Sequence, residues 1–171
     1  VYLVNPKHRR IAGHEAFLSI EDLPEAPDLA VIATPPDTVP GLIAELGKKG
    51  TRAAVVVTAG LGLELRQRML DAARPTCLRI IGPNCFGLID VQQGINASLA
   101  MGLPAAGGVA LFTQSGSYGM AAFSRSQDGA IGFSKVLAAG NKADVSEVDA
   151  IRCFGADPAT RVIALVLESI S

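Results

Sequence analysis

The sequence predicts an α/β protein with parallel sheets, divided into two modules. Three observations carry that expectation. Short apolar runs recur at residues 1–4, 29–33, 53–57, 78–81, 109–112, 133–138 and 162–167. They are continuous rather than alternating, the pattern of strands buried on both faces of a parallel sheet. Amphipathic segments separate them, and alternating strands and helices make βαβ units with right-handed crossovers. The stretch 94–107, GINASLAMGLPAAG, interrupts the alternation with small residues, a proline and no period. It reads as a linker between modules at 1–104 and 105–171.

Taken in order, the first run ends at Asn5-Pro6-Lys7, a turn. The second ends at Thr34-Pro35-Pro36 and is followed by 38–49, whose apolar residues fall at helical spacing with charges opposite. The third ends in Thr58-Ala59-Gly60 and leads to a helix over 63–73. The fourth ends in Gly82-Pro83-Asn84-Cys85-Phe86-Gly87. The fifth runs through Thr113-Gln114 into the turn Ser115-Gly116-Ser117, with helix from Tyr118 onward. A helix over 146–153 carries Val148, Ile151 and Cys153 inward, and the last run ends at Glu168. The chain opens on a strand without a glycine-rich first βα turn and stops just after a strand. Both modules are therefore expected to be incomplete.

Composition narrows the function. Hydrophobic residues make up 49% of 171 positions, enough for a sizeable core. Lys and Arg number 15 against 16 Asp and Glu, and the charges are scattered. Neither nucleic acid nor an anionic membrane is favoured as a partner. No apolar run nears the ~18 residues of a membrane span, and the N-terminus lacks signal-peptide order. Cys77, Cys85 and Cys153 are odd in number and lack CxxC spacing, which argues against a disulfide framework or zinc site. The expectation is a cytoplasmic, oligomeric protein that uses no metal site of its own.

Ligands of parallel α/β sheets collect beyond the carboxyl ends of the strands. Those ends are small, hydroxylic or proline-constrained here, without clustered His or carboxylate, which suits backbone cradling of a large polar ligand. Ser115-Gly116-Ser117 opens a helix whose free N–H groups favour an anion. A P-loop is excluded, because no Lys follows the glycine. The segment SGSYG approaches a hydrolase nucleophile elbow and makes Ser117 a candidate nucleophile. That fold places its histidine after the serine, whereas His8 and His14 lie upstream. A purely structural turn is the third reading. Asn84 is a candidate ligand donor or an ordinary Asx turn, and Lys7 a candidate phosphate contact or a solvated surface cation. Cys85 reads as a small packing residue, its neighbours giving no reason for a lowered pKa. Glu168 is either an acid that orients a histidine or a protonated phosphate, or an ordinary strand-terminating surface acid.

Taken together, VNPK at 4–7, PDLAVIATPPDTVP at 27–40, VVVTAGLG at 55–62, IIGPNCFGLI at 80–89, FTQSGSYG at 112–119, GNKADV at 140–145 and LESIS at 167–171 resemble the NDP-forming acyl-CoA synthetase superfamily. The resemblance runs over nearly the whole chain in the family's order. It implies a truncated CoA-binding Rossmann-like domain, lacking its first βα unit, followed by a flavodoxin-like domain of succinyl-CoA-ligase type. By that similarity Thr34, Pro35, Pro36, Thr58, Ala59 and Gly60 line a CoA or acyl-CoA site, and Asn84 and Cys85 flank its thiol end. Ser115, Gly116 and Ser117 hold phosphate or phosphohistidine, and Glu168 steadies the phosphohistidine loop.

The resemblance also implies ADP or ATP with Mg, used through an ATP-grasp domain or subunit outside this sequence. The phosphorylated histidine belongs to a segment beyond residue 171. Neither His8 nor His14 occupies a matching place, and the missing glycine-rich loop implies weakened CoA affinity. A second branch of the superfamily carries a GNAT domain that acetylates protein lysines, with the synthetase-like part as acyl-CoA sensor. GINASLAM and LESIS are similar to that branch.

Overall fold

The computed structural model describes residues 1–170. Strands β1 (Leu3–Val4), β2 (Arg10–Ile11) and β3 (His14–Phe17) form a small sheet in the order β1-β3-β2. Strands β4 (Leu29–Ile32), β5 (Ala53–Val56) and β6 (Arg79–Ile81) form a second, wholly parallel sheet in sequence order. The third sheet joins β7 (Gly87–Asp90), β8 (Ile95–Ser98), β9 (Ala106–Thr113), β10 (Phe133–Ala138) and β11 (Val162–Val166) in the order β11-β9-β10-β7-β8. β9, β10 and β11 are parallel, as expected.

Helices α1 (Val39–Lys49) and α2 (Leu63–Ala73) cover the second sheet. α1 buries Val39, Ile43 and Leu46, spaced four and three residues apart on one face, against Ile32, Ala54 and Val56. Pro40 lies in its first turn, and it stops at Gly50, whose φ of +107° lets the N–H turn back onto the Leu46 and Gly47 carbonyls. Lys48 and Lys49 sit in its last turn, the favourable end for cations. In the third sheet the cores lie on both faces, around Phe112, Leu137 and Phe154 on one side and Ile89, Leu111 and Val136 on the other.

Helices α3 (Gly116–Gln127) and α4 (Glu147–Gly155) belong to this sheet. α4 opens on a reciprocal cap, with the Ser146 N–H donating to Asp149 Oδ2 at 3.0 Å and the Asp149 N–H to Ser146 Oγ at 3.4 Å. The Ser146 backbone N–H, more than Arg79, holds the Asp149 carboxyl below the usual carboxylate range.

Three expectations need correction. Residues 1–4 do not extend the second sheet, because β1 pairs instead with β3, and the β2–β3 hairpin carried no apolar run to announce it. The stretch 94–107 is not wholly a linker, since β8 lies inside it and pairs antiparallel with β7, itself antiparallel to β10. Gly87 makes that pairing possible, as a Cβ there would strike the Ala97 carbonyl. In α4, Val148 and Ile151 are 48% and 40% exposed and Cys153 is exposed, while Ala150 and Phe154 face the core. The apolar face is rotated by the position of Phe154, which anchors the helix.

The second and third sheets share an apolar contact of Val55 and Ile81 with Ala97 and Leu88, and they are further joined by the irregular segment 139–145. It runs beside β6 and the loop after it, with bonds from the Val145 N–H to the Ile80 carbonyl (3.1 Å), Ala143 to Gly82 (2.9 Å) and Asn141 to Pro83 (2.9 Å). Asp144 accepts from the Ile80 N–H at 2.7 Å and from Arg79 Nε at 3.0 Å. Its other end bonds to β9, through the Ala139 N–H and the Thr113 carbonyl at 2.8 Å. Gly140 has a φ of +55°, and a Cβ there would run into the Asn84 and Pro83 carbonyls.

Gly140→Ala is therefore expected to destabilise the protein by about 3 kcal/mol, combining left-handed strain with overpacking. Gly129→Ala, at φ +73° but with open space around it, should cost about 1 kcal/mol. Urea unfolding of both variants checks this. Equal losses would mean that the segment does not dock as tightly as its bonds imply.

Candidate functional site

The carboxyl ends of β4, β5 and β6 are laced into one ledge. The Val57 N–H donates to the Ile32 carbonyl at 3.0 Å, the Thr58 hydroxyl to the Thr34 carbonyl at 2.8 Å, and the Asn84 N–H to the Thr58 carbonyl at 2.9 Å. Each bond ties one strand end to the next. Pro36–Thr38 forms a single tight turn before α1, in which the Thr38 hydroxyl donates to the Pro35 carbonyl and lies 2.7 Å from the Thr34 hydroxyl. Pro35, Ala59, Gly60 and Asn84 are exposed along this ledge, whereas Thr58 is buried with its hydroxyl committed to the scaffold.

Asn84 stands in the left-handed region at φ +56°, and its Nδ2 donates to Asn141 Oδ1 at 3.3 Å. Cys85, the next residue, is buried, with Sγ 3.2 Å from the Val56 carbonyl. Burial pushes its thiol up to about 12, so it stays neutral at physiological pH. Of the two residues expected at a thiol end, Asn84 offers a side chain to solvent and Cys85 does not. Lys7 stands apart. It is exposed on the turn after β1, where Asn5 Oδ1 accepts from the Lys7 and His8 N–H groups at 2.9 and 3.1 Å. Its sheet does not pair with β4-β5-β6.

Beyond β9 lies the hydroxylic turn. The Ser115 N–H donates to Thr113 Oγ1 at 3.0 Å, the Thr113 hydroxyl donates to the Ser115 carbonyl at 3.1 Å, and the Ser115 and Ser117 hydroxyls pair at 2.9 Å. Gly119 makes the first helical bond, to the Ser115 carbonyl at 3.2 Å. The N–H groups of Gly116, Ser117 and Tyr118 precede it, at the positive end of a 12-residue helix, and all three residues are exposed. Phe86, from the loop that carries Asn84, lies beneath Gly116 and Gly119.

Gln114 fastens this turn to the end of β11. Its N–H donates to the Val166 carbonyl at 3.1 Å, and its Oε1 accepts from the Glu168 and Ser169 N–H groups at 2.7 and 3.0 Å. Glu168 is exposed. Lys142, buried at its side chain, donates to Glu147 Oε2 at 2.7 Å and to the Ser169 carbonyl at 3.0 Å. Gln114, Asn141 and Lys142 were not singled out by their residue types, although all three lie in motifs that carry the family resemblance.

The structure thus brings Thr34–Pro36, Thr58–Gly60 and Asn84 onto one ledge, and Ser115–Ser117 beside the loop of Glu168. The segment 139–145 connects the two groups. Both histidines lie in the part of the chain around the first sheet, His14 in β3 and His8 before β2, whereas the Ser117 hydroxyl pairs with that of Ser115. A nucleophile elbow finds no support in that arrangement. Among the described residues no group of three or more His, Cys, Asp or Glu is placed to hold a metal ion, and no helix is long and apolar enough to cross a membrane.

Residues 1–90 match the profile of a CoA binding domain, and residues 106–171 that of a succinyl-CoA ligase like flavodoxin domain. The ADP-forming acetate–CoA ligase of Methanocaldococcus jannaschii is 38% identical over 99% of this chain and 25% of its own length. The alpha subunit of ADP-forming acetate–CoA ligase II from Pyrococcus furiosus is 32% identical over 99% of this chain and 38% of its own. Among solved structures, an acetyl-coenzyme A synthetase of Candidatus Korarchaeum cryptofilum, in complex with phosphate and ADP, superposes with a TM-score of 0.92. It has 36% identity over 99% of this chain and 38% of that one. The chain spans about a quarter of the length of the M. jannaschii relative.

The thiols supply a test of the ledge. Iodoacetamide at pH 8 is expected to alkylate the exposed Cys77 and Cys153 and to spare Cys85, all three reacting in urea, as mass spectrometry would read. Because the native Cys85 thiol ionises near 12 and the unfolded one near ~8.5, stability should also fall as pH rises above about 8.5. Alkylation of native Cys85 as fast as the other two would mean that the loop 82–87 opens readily.

Proposed function

Since this chain belongs to the NDP-forming acyl-CoA synthetase family, with the family's CoA-binding and flavodoxin-like folds, we propose that it is the part of an acid–CoA ligase that binds the CoA thioester and the phosphate it reacts with. The observation that carries this is the continuous set of strand ends. Thr34–Pro36, Thr58–Gly60 and Asn84 are laced together, and through 139–145 the lacing continues to the helix start at Ser115–Ser117. Two exposed binding surfaces of different chemistry therefore adjoin on one rigid scaffold.

In this reading CoA lies along the first three strand ends, which have no bulky side chain to obstruct close approach of backbone to ligand. Asn84 reaches toward the thioester end, while Cys85 supports the loop from below with a neutral thiol. Lys7, exposed on the turn after β1 and apart from the ledge, is left to reach a phosphate at the far end of a ligand as long as CoA. The N–H groups of Gly116 and Ser117, with the Ser115 and Ser117 hydroxyls, hold phosphate and stabilise the charge that it carries as it attacks the thioester carbonyl. That attack forms an acyl phosphate and releases CoA as the thiol.

The phosphoryl group then passes to a histidine and on to ADP, giving acid and ATP. That histidine and the Mg-nucleotide site belong to the flavodoxin-type module's continuation and an ATP-grasp partner. Glu168, at the mouth of the phosphate site, orients the incoming imidazole. The modules 1–104 and 105–171 divide these tasks, and the β7–β8 hairpin of the first completes the sheet of the second. The ligases and synthetase named above favour this reading over the lysine-acetyltransferase branch.

Calorimetric titration with CoA tests the reading. Asn84→Ala is expected to raise the Kd about fivefold, the loss of one hydrogen bond. A flat titration of the unsubstituted protein would remove the CoA assignment. Turnover of p-nitrophenyl acetate that Ser117→Ala abolishes would favour a hydrolase instead.

A further inference from the structure

We propose that Gln114 and Lys142 are positioning residues for Glu168, fixing the backbone of its loop from two sides. The inference rests on the proposed function and extends it. Gln114, at 9% exposure, accepts the N–H groups of both Glu168 and Ser169, and its Nε2 donates to Ser169 Oγ at 3.2 Å. Lys142, whose side chain is 4% exposed, donates to the Ser169 carbonyl that follows. Two consecutive N–H groups and the next carbonyl are therefore held by buried side chains from two separate segments.

Ordinary loop stability does not demand this. Residues 168–170 are exposed, and water satisfies exposed backbone groups at little cost. Burying a lysine against Glu147 carries a desolvation penalty that the pair does not clearly recover as stability. The gain is geometric. Lys142 is held at φ +49°, and its neighbour Asn141 bonds the Pro83 carbonyl and the Asn84 side chain. One short segment thus sets the Glu168 loop relative to the residue proposed to face the thioester.

The test is kinetic, in the complete ligase with its ATP-grasp part, following ATP formation from acetyl-CoA, phosphate and Mg-ADP. Gln114→Met keeps the packing and removes the acceptor, and is expected to lower kcat about tenfold with the KM for acetyl-CoA changed less than about twofold. Lys142→Met combined with Glu147→Gln, which leaves no buried carboxylate without its cation, should do the same by the other route. In a Glu168→Gln background neither change should lower kcat by more than about twofold further, since both act through that carboxylate.

Full kcat in both variants overturns the inference, as does a loss that remains undiminished on Glu168→Gln. A rise in KM with kcat unchanged overturns it too, because it would assign the two residues to thioester binding. Wild-type enzyme that forms no ATP overturns the proposed function and the inference with it, whereas the preceding outcomes leave the proposed function standing.

Discussion

The candidate site depends on the docking of residues 139–145 against β6 and the loop that follows it. The two sheets also meet through the apolar cluster of Val55, Cys85 and Ala97, but that segment supplies the directional bonds between them. Three backbone bonds and the Asp144 carboxylate fasten that segment to Ile80, Gly82 and Pro83, and one further bond fastens it to β9. The strand ends of β4, β5 and β6 and those of β9 and β11 are thereby given a common frame. Backbone hydrogen bonds of this kind contribute about 1 kcal/mol each, so the joint is modest energetically. Its importance is that each bond is short and directional, which sets distances between loops that no hydrophobic contact would set.

Small residues are the consequence of that joint. Gly140 sits where a Cβ would meet the Asn84 carbonyl, so segment 139–145 approaches the loop after β6 at backbone distance only because that side chain is missing; Gly82 does the same for that loop against the Val56 carbonyl of β5. The same economy of side chains leaves the ligand-facing side without carboxylate or imidazole clusters. Charge is handled by N–H dipoles instead, at the start of α3, and the nearest buried cation, Lys142, is already engaged by Glu147. Exposed N–H groups and hydroxyls of this kind can bind and stabilise an anion.

Much of the fold was legible because its strands are apolar on both faces. The runs at 29–33, 53–57, 78–81, 109–112, 133–138 and 162–167 each coincide with an observed strand to within a residue or so, apart from the earlier start of β9 at Ala106. Elements stabilised by other means were not legible. The β2–β3 hairpin is held by backbone bonds and turn chemistry with exposed His14 and Glu15, and β8 contributes only Ala97 to a core. Within the site, residue type announced the hydroxylic turn and the proline and glycine strand ends. It also marked Cys85 as a small packing residue, but it did not announce that Thr58 faces inward, because burial of a small residue leaves no periodic trace in a loop.

The relation between Gln114 and Lys142 shows why chemistry at such a site is hard to read from single motifs. Each residue lies in a different motif, and neither has an unusual type for its position. Their significance arises where β11 ends beside β9, which places the Ser169 backbone within reach of both. A carboxylate at the end of an edge strand is otherwise a mobile surface group. Fixing the two N–H groups and one carbonyl defines the backbone from which that group projects, at the cost of burying an ion pair. The role proposed for Glu168 is accordingly one in which orientation matters more than charge alone, since charge by itself would need no such support.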